Sequence, residues 1–514
     1  MAEPFVSENK RVETSLVSTC CITNMATQNT VDLRNIIRGI TIFNSLDVML
    51  ASGWIDVMDQ GNLIEQYQLN GQEFVDLKLQ LGGDTASGSS TASPNFNEYR
   101  RRFFVYAIEN IYAVKDQMFY RIKFIDPFAL MNTDTRISWH FKNMKGEDII
   151  KKLQGVAENK VNEPYSKALE MDVCGGQVKS PNKKLFDFSA DASTQFDFDI
   201  YVPMMKPLEL IRYIADRVVS SGDNPCAWSD CLFYQDKEGK FHLDSFRNLF
   251  KKGSPIVLTQ QIAENMTSEK EHLIESYTFN KIYNLQVDKL NGIYGVHFAI
   301  ADFKPSTKKT TEQTILGTNI VANSGADKAT DSLSLRSTID SYFGHSLGPF
   351  SNLTSKSSGF IVPWQCDERN PPLTSIQTTG ENGQQKQVSY KNKAGALIFM
   401  DTCGIIHEDD NTYNEYKRVT LPYVNGCIMK KVLSTYVINV VMNGAFDIDV
   451  GKTFKIKLDE TTGPQQMAVF VGDVIWLVSD VRHEWRSDVM QVKTYVTAFT
   501  PFLKKTETPG TAKQ

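Results

Sequence analysis

The sequence predicts a mainly β protein with α+β parts: two antiparallel β-barrels, a small α/β domain between them, and a long insertion in the second barrel. Three observations carry this expectation. Residues 444–502 alternate apolar and polar positions between Gly, Pro, Asp and Asn clusters, as antiparallel strands joined by hairpins do. The stretch 105–128 repeats the design of 475–502: an apolar strand, a polar turn, an alternating strand and a closing Pro-Phe. Between them, residues 132–265 switch to a helical period.

Taken in order, residues 1–30 read as a polar N-terminal arm with little pattern. Residues 31–131 read as the first barrel. Ile40 and Ile42 alternate, a strand starts at Trp54-Ile55-Asp56-Val57, and Leu77, Leu79 and Leu81 alternate again. The Gly-, Ser-, Thr- and Asn-rich stretch 82–98 is an expected exposed loop. Residues 132–265 form the α/β domain. Ile149, Ile150, Leu153, Val156 and Ala157 give one helix an apolar face; Leu208, Ile211, Ile214, Ala215 and Val218 do the same after Pro207, which suits a first helical turn. Leu232-Phe233-Tyr234 and Phe241-His242-Leu243 flank Asp236-Lys237-Glu238-Gly239 as a tight hairpin.

The second barrel is expected in two parts. Residues 266–303 supply the first, with two strands meeting near Asn291-Gly292, and 433–502 the second, including a polar turn at 461–465. The insertion 304–432 holds an expected helix at 332–343 and a polar stretch at 370–392 expected to be mobile. A polar tail, 503–514, closes the chain.

Aligning 120–128 on 494–502 pairs Ile122 with Val496, Ile125 with Phe499, Pro127 with Pro501 and Phe128 with Phe502. A common hairpin design could give this much similarity; duplication of a whole barrel is the sharper reading.

Composition bounds the function classes. At 514 residues, roughly three domains is the prior. A hydrophobic share of 41% with 11% aromatics is that of a globular protein. The 55 basic and 60 acidic residues, net −5, argue against nucleic-acid binding as the main task. No apolar run reaches the roughly 18 residues of a membrane span, and the start, Met1-Ala2-Glu3-Pro4-Phe5, reads as lacking an export signal. The eight cysteines show no CxxC spacing, so reduced thiols and no zinc site are expected.

No phosphate loop, HExxH or nucleophile elbow is present. His407-Glu408-Asp409-Asp410 reads as a solvated loop and His483 as a buried, hydrogen-bonded structural histidine. A glycosidase needs only two carboxylates that meet in space. Asp197 and Asp199, alternating with Phe196 and Phe198, read as the wet face of a strand. Arg100-Arg101-Arg102 could touch nucleic acid; local salt bridging or a subunit contact is the simpler reading. No catalytic, cofactor or metal residues are expected.

The order Gly444-Ala445-Phe446-Asp447-Ile448-Asp449-Val450-Gly451, then a strand with Phe454, Ile456 and Leu458, a loop, a strand with His483-Glu484-Trp485, and a long strand with Tyr495 resembles the closing segment of central baseplate hub proteins of contractile-tailed bacteriophages. The opening resembles their N-terminal domain through Ala51-Ser52-Gly53-Trp54-Ile55-Asp56 and Gly71-Gln72-Glu73, and the middle through its helix, hairpin and Asp244-Ser245-Phe246. The resemblance covers most of 31–500.

It implies two tube-like barrels per chain and a homotrimeric, pseudo-sixfold ring. Such a ring would sit in the virion tail baseplate, assembled in host cytoplasm. It would lie between the tail tube or its initiator above and a trimeric central spike below, with baseplate wedge proteins as further candidate partners. Only the passing genome would traverse it, and no membrane is involved. The implied role is structural, not enzymatic, with no cofactor. The alternatives are a tail-associated cell-wall hydrolase and the hub of a related contractile injection system such as a type VI secretion spike. Tyr120, Ile122, Phe124, Val496 and Phe499, on the two long alternating strands, are the expected subunit-interface residues.

Overall fold

The computed structural model describes residues 15–81 except Gln72, 98–157, Leu169, 184–221, 228–252, 255–260 and 272–281. It also describes the strands at 296–301, 308–313, 373–379, 385–391 and 396–401, positions 423, 426, 430, 433 and 434, and residues 436–457 and 474–501. In chain order the first module comprises β1 (Ser15–Asn24), β2 (Thr30–Asp32), β3 (Ile37–Ser45), β4 (Ser52–Asp59), α1 (Leu63–Gln66), β5 (Glu73–Leu81), β6 (Glu98–Val114) and β7 (Gln117–Ile125). The middle module holds α2 (Phe128–Asp134), β8 (His140–Lys145), α3 (Gly146–Ala157), β9 (Phe188–Ala190), β10 (Asp197–Tyr201), α4 (Pro207–Ala215), β11 (Cys231–Gln235), β12 (Phe241–Ser245) and α5 (Phe246–Lys251). Then follow β13 (Ile256–Gln260), β14 (Leu273–Lys281), β15 (Val296–Ala301), β16 (Lys308–Gln313), β17 (Leu373–Thr379), β18 (Gln385–Lys391) and β19 (Ala396–Asp401). The last four are β20 (Tyr436–Asn443), β21 (Thr453–Lys457), β22 (Trp476–Arg486) and β23 (Gln491–Thr500).

The architecture is mainly β, as expected. One 13-stranded sheet runs β2-β1-β5-β6-β7-β4-β3-β22-β21-β13-β14-β20-β23, and the extra pairing of β22 with β23 closes its second half into a six-stranded barrel. The first half repeats the second. The order β1-β5-β6-β7-β4-β3 maps strand for strand, and in the same chain order, onto β13-β21-β22-β23-β20-β14. Four of the five strand pairings are antiparallel in both halves; the first differs, since β1 runs antiparallel to β5 whereas β13 runs parallel to β21.

Irregularities repeat as well. In β6 the register shifts between Val105 and Ala107, just after Phe104 faces Ile125; in β22 it shifts between Val478 and Asp480, just after Leu477 faces Phe499. In β3 it shifts between Ile37 and Gly39, and in β14 between Ile274 and Ser276. A bulge is a specific insertion into one strand of a pair, so two at matching positions are a strong mark of common design. The aligned strands also keep phase. Tyr120, Ile122 and Phe124 point inward on β7, as Thr494, Val496 and Ala498 do on β23. Volume is balanced differently in the two copies. Phe124 faces Gly53, where any Cβ would run into the Thr41 carbonyl oxygen and the Phe124 ring, whereas Ala498 faces Ile438. A single hydrophobic cluster runs through both halves.

The middle module has its own core. Ile149, Ile150 and Leu153 of α3 pack with Leu210, Ile211 and Ile214 of α4 and with the rings of Phe128, Phe186 and Phe241. The expected hairpin forms between β11 and β12, with β9 parallel on β12. Its turn is set by Asp236, whose Oδ1 accepts from the N–H of Glu238 and Lys240, and by Gly239 at φ 89°.

Several expectations change. The arm 1–30 contains β1, which pairs with β5 from Ser15–Leu81 to Asn24–Glu73. A register shift between Val17 and Thr19 breaks its period-two pattern, which hid the strand. The second barrel starts earlier than 266, since β13 pairs with β21 and β14. The segment 272–303 splits: β14 lies in the barrel, but β15 joins a separate three-stranded sheet with β16 and β19. Within 370–392, β17 and β18 form an antiparallel hairpin. Cys21 is disulfide-bonded, while Cys20 and Cys231 are free and buried, so not every thiol is reduced. The expected hairpin tip at Asn291-Gly292, loop 82–97, helix 332–343, turn 461–465, His407-Glu408-Asp409-Asp410, and Phe502 lie outside the described residues.

Candidate functional site: the strand seam between the barrels

The two modules are joined by backbone, and of the two only the second is closed into a barrel by strand pairing among the described residues. β22 pairs with β23 along one edge; its other edge is shared between two strands. Trp476 and Leu477 pair with β21, and Asp480 through Arg486 pair with β3, from Asp480–Ser45 to Arg486–Gly39. The hand-over occurs at the bulged Ser479, whose carbonyl accepts the Leu46 N–H at 2.8 Å while its hydroxyl donates to the Thr497 carbonyl at 3.1 Å. The far end is fastened by the Ser487 N–H to the Arg38 carbonyl (3.0 Å), the Ser15 N–H to the Met490 carbonyl (2.8 Å) and Trp485 Nε1–H to the Ser15 carbonyl (3.2 Å).

His483 sits inside this seam, as a structural histidine was expected to. Its Nδ1 and the Thr494 hydroxyl share a 3.0 Å hydrogen bond, and that hydroxyl also accepts the Ala445 N–H at 3.1 Å. The Phe446 and Tyr99 rings flank it, and burial pushes its pKa down to about 3, so it is neutral at ordinary pH.

A buried polar network ties the seam to the middle module. Asn44, on β3, donates through Nδ2 to the Gln235 carbonyl (2.9 Å) and to Asp449 Oδ1 (3.2 Å). Asp449 also accepts the N–H of Lys237 (2.6 Å) and of Val450 (2.8 Å), yet burial still pushes its carboxyl up to about 6. Gln235 Nε2 donates to Asp126 Oδ2 (2.9 Å), which also receives Arg101 at 2.7 Å. One connected set of side chains thus holds the first barrel, the middle hairpin and the second barrel in fixed relation.

The arginine run therefore acts locally. Arg101 and Arg102 are buried, Arg101 on Asp126 and Arg102 on Asp76 with contacts of 2.7 and 3.0 Å. The nucleic-acid reading of these two residues falls, because buried guanidinium groups cannot reach a phosphate. Asp197 is exposed and Asp199 pairs with His140 at 2.6 Å, consistent with a wet strand face. Among the described residues no group of three or more His, Cys, Asp or Glu side chains is arranged to hold a metal.

The five expected interface residues all face the core of their own chain. Tyr120, Ile122, Phe124, Val496 and Phe499 all belong to the shared hydrophobic core. β7 is paired on both edges, by β4 and β6, and β23 by β20 and β22, so neither offers a free edge to a neighbour. Alternation signals a buried face, and here the barrel itself buries it. Sequence reading missed Asn44, Gln235 and Asp449; Asp449 lies within the 444–451 signature, which marked the segment but not its role. It also missed Asn24, and it marked Glu73 without its role. The Glu73 carboxylate accepts the Asn70 and Gly71 N–H groups and Asn24 Nδ2, which is the physical content of the Gly-x-Glu step.

No family model matches the chain, and no curated protein matches its sequence. Solved structures do resemble it. Similar chains include the tail protein from Neisseria meningitidis (TM-score 0.46, 8% identity, covering 94% of this chain and 96% of that one). Another is a 43 kDa prophage tail protein from Shewanella oneidensis (0.42, 9%, 94% and 98%). A third is an Escherichia coli component of the type VI secretion system (0.36, 8%, 90% and 73%), itself structurally similar to bacteriophage T4 tail proteins gp27 and gp5. The resemblance is to tail and secretion proteins. At these TM-scores and identities it transfers no residue role and no partner to this chain.

Proposed function

We propose that this chain is a structural hub of a phage-type tail baseplate or a related contractile injection particle. Three copies form a pseudo-sixfold ring that joins the tail tube to a trimeric central spike, with wedge proteins at its periphery. The observation that carries the reading is the internal duplication. Two modules of the same strand order, with matching bulges, are joined edge to edge by β3 and β22. A unit that presents two near-equivalent barrels can complete a ring of six from three chains, each step turning about 60°. Such a ring meets sixfold symmetry on one side and threefold on the other.

The role is mechanical and non-enzymatic: rigid spacing, symmetry matching and an open axis. The sequence resemblance over 31–500 supports the same reading. Electron micrographs of the purified protein test it. The expected particle is a threefold ring with six similar lobes; isolated two-lobed particles under all conditions would overturn it.

A further inference from the structure

The internal seam has a second half that the described residues of one chain leave unfilled. By the strand equivalence above, β6 corresponds to β22 and β14 to β3. Inside the chain, β22 lends the edge of Asp480 through Arg486 to β3. The corresponding edge of β6, residues 107–114, pairs with no strand among the described residues, because β5 covers β6 only from Glu98 to Phe104. Among the described residues the corresponding edge of β14 is equally unpaired at 276–278, because β13 reaches only Leu273 and Ile274.

Burial shows the same asymmetry. In the filled seam Val481 and Trp485 are buried and Glu484 half-buried, whereas their equivalents on β6 are half-buried Ile108, exposed Ala113 and exposed Tyr112. On the open edge of β6, Ile111, Tyr112 and Val114 are 57%, 56% and 51% exposed, and the bulged Tyr106 is 51% exposed. On β14, Ser276 and Thr278 are exposed, where their equivalents on β3 are half-buried Gly39 and buried Thr41. A long strand edge lined with large apolar side chains is a liability unless something pairs with it.

We propose that β6 of one chain pairs antiparallel with β14 of a second copy, reproducing between chains the β3–β22 seam within each. This rests on the ring reading above and specifies its subunit contact. β6 has a second register shift, between Glu109 and Tyr112, that β22 lacks, so the register is carried over from the filled seam for Tyr112 to Val114, beyond that bulge. Tyr112 faces Phe119 as Glu484 faces Lys493, and Thr278 faces Asn439 as Thr41 faces Trp54. Since Glu484 faces Thr41 and Trp485 faces Ile40, Tyr112 of one copy faces Thr278 of the next, and Ala113 faces Tyr277. The Ser487 N–H points at β3, so by strand parity the Trp485 N–H and its equivalent at Ala113 point to the seam side.

Two variants test this register. Ala113→Pro removes a donor on the open edge only, a position where a strand tolerates proline. It is expected to reduce the sedimenting mass from three chains to one while the circular dichroism spectrum stays that of the wild type. Tyr112→Cys with Thr278→Cys places thiols directly opposite across the seam, within cross-strand reach. Under oxidation it is expected to give a non-reducing ladder ending at three chains that neither single variant gives. A wild-type trimer that persists in Ala113→Pro and yields no ladder overturns the seam and leaves the ring standing. A wild-type protein that is monomeric throughout overturns both.

Discussion

Arg102→Met isolates the buried pair that the arginine run conceals. Arg102 sits on β6 opposite Asp76 on β5, with Nε–Oδ1 at 2.7 Å and a second nitrogen at 3.0 Å from Oδ2. It also donates to the Leu169 carbonyl at 2.9 Å and lies 4.6 Å from the centre of the Phe74 ring. Both side chains are essentially removed from water, at 0% and 3% exposure. Methionine keeps much of the volume but leaves the Asp76 carboxylate without its counter-ion, a loss of about 3–5 kcal/mol. The lost carbonyl bond and ring contact add roughly 1–2 kcal/mol. In the double variant Arg102→Met with Asp76→Leu only that smaller loss remains, so adding Asp76→Leu should recover about 3–5 kcal/mol of what Arg102→Met removes. Urea denaturation followed by tryptophan fluorescence gives all four corners of the cycle. If the double variant is as unstable as Arg102→Met alone, the pair is not what holds β5 to β6 here.

Val496→Pro should abolish the second barrel. Val496 is paired on both sides, to Val440 and Val481, so the ring and lost donor cost about 3 kcal/mol or more, and a folded protein of wild-type urea midpoint would refute this. Two buried groups give opposite pH dependences. Asp449, raised from 3.8 to about 6, keeps its proton longer when folded, so its contribution falls as pH rises through that window. His483, lowered from 6.5 to about 3, contributes stability above 6.5 that is lost as pH falls towards 3. Asp449→Asn should therefore lose stability on acidification below 6.5 more steeply than the wild type, and His483→Gln should gain it between 6 and 3.8. Urea midpoints at stepped pH check the signs; parallel profiles for all three proteins would contradict them.

What the sequence made legible follows from one-sided burial. β7 and β23 alternate cleanly because each has one face in the core, and their matched Pro closures and polar turns exposed the duplication. The β11–β12 turn and the two apolar helix faces were equally readable. β1 was not, because its bulge breaks the period, and β13 was not, because a short strand in parallel pairing has no hairpin signal. Alternation says that a face is buried but not by what. Tyr120, Ile122, Phe124, Val496 and Phe499 therefore read as interface residues although the barrel buries them. Edge or centre is a property of topology, set by strands hundreds of residues apart, as β3 and β22 are. Asn44 and Asp449 are ordinary polar residues until the fold places them together.

A ring of three chains has a mass that distinguishes it from every smaller particle. Light scattering on the wild-type protein over a range of concentrations measures the mass directly, against a single-chain mass of 58.0 kDa. A particle of three chains that persists on dilution is expected, as obligate interfaces of about 2,000 Å² or more do. A single-chain mass at every concentration, even with a candidate spike protein added, would contradict it.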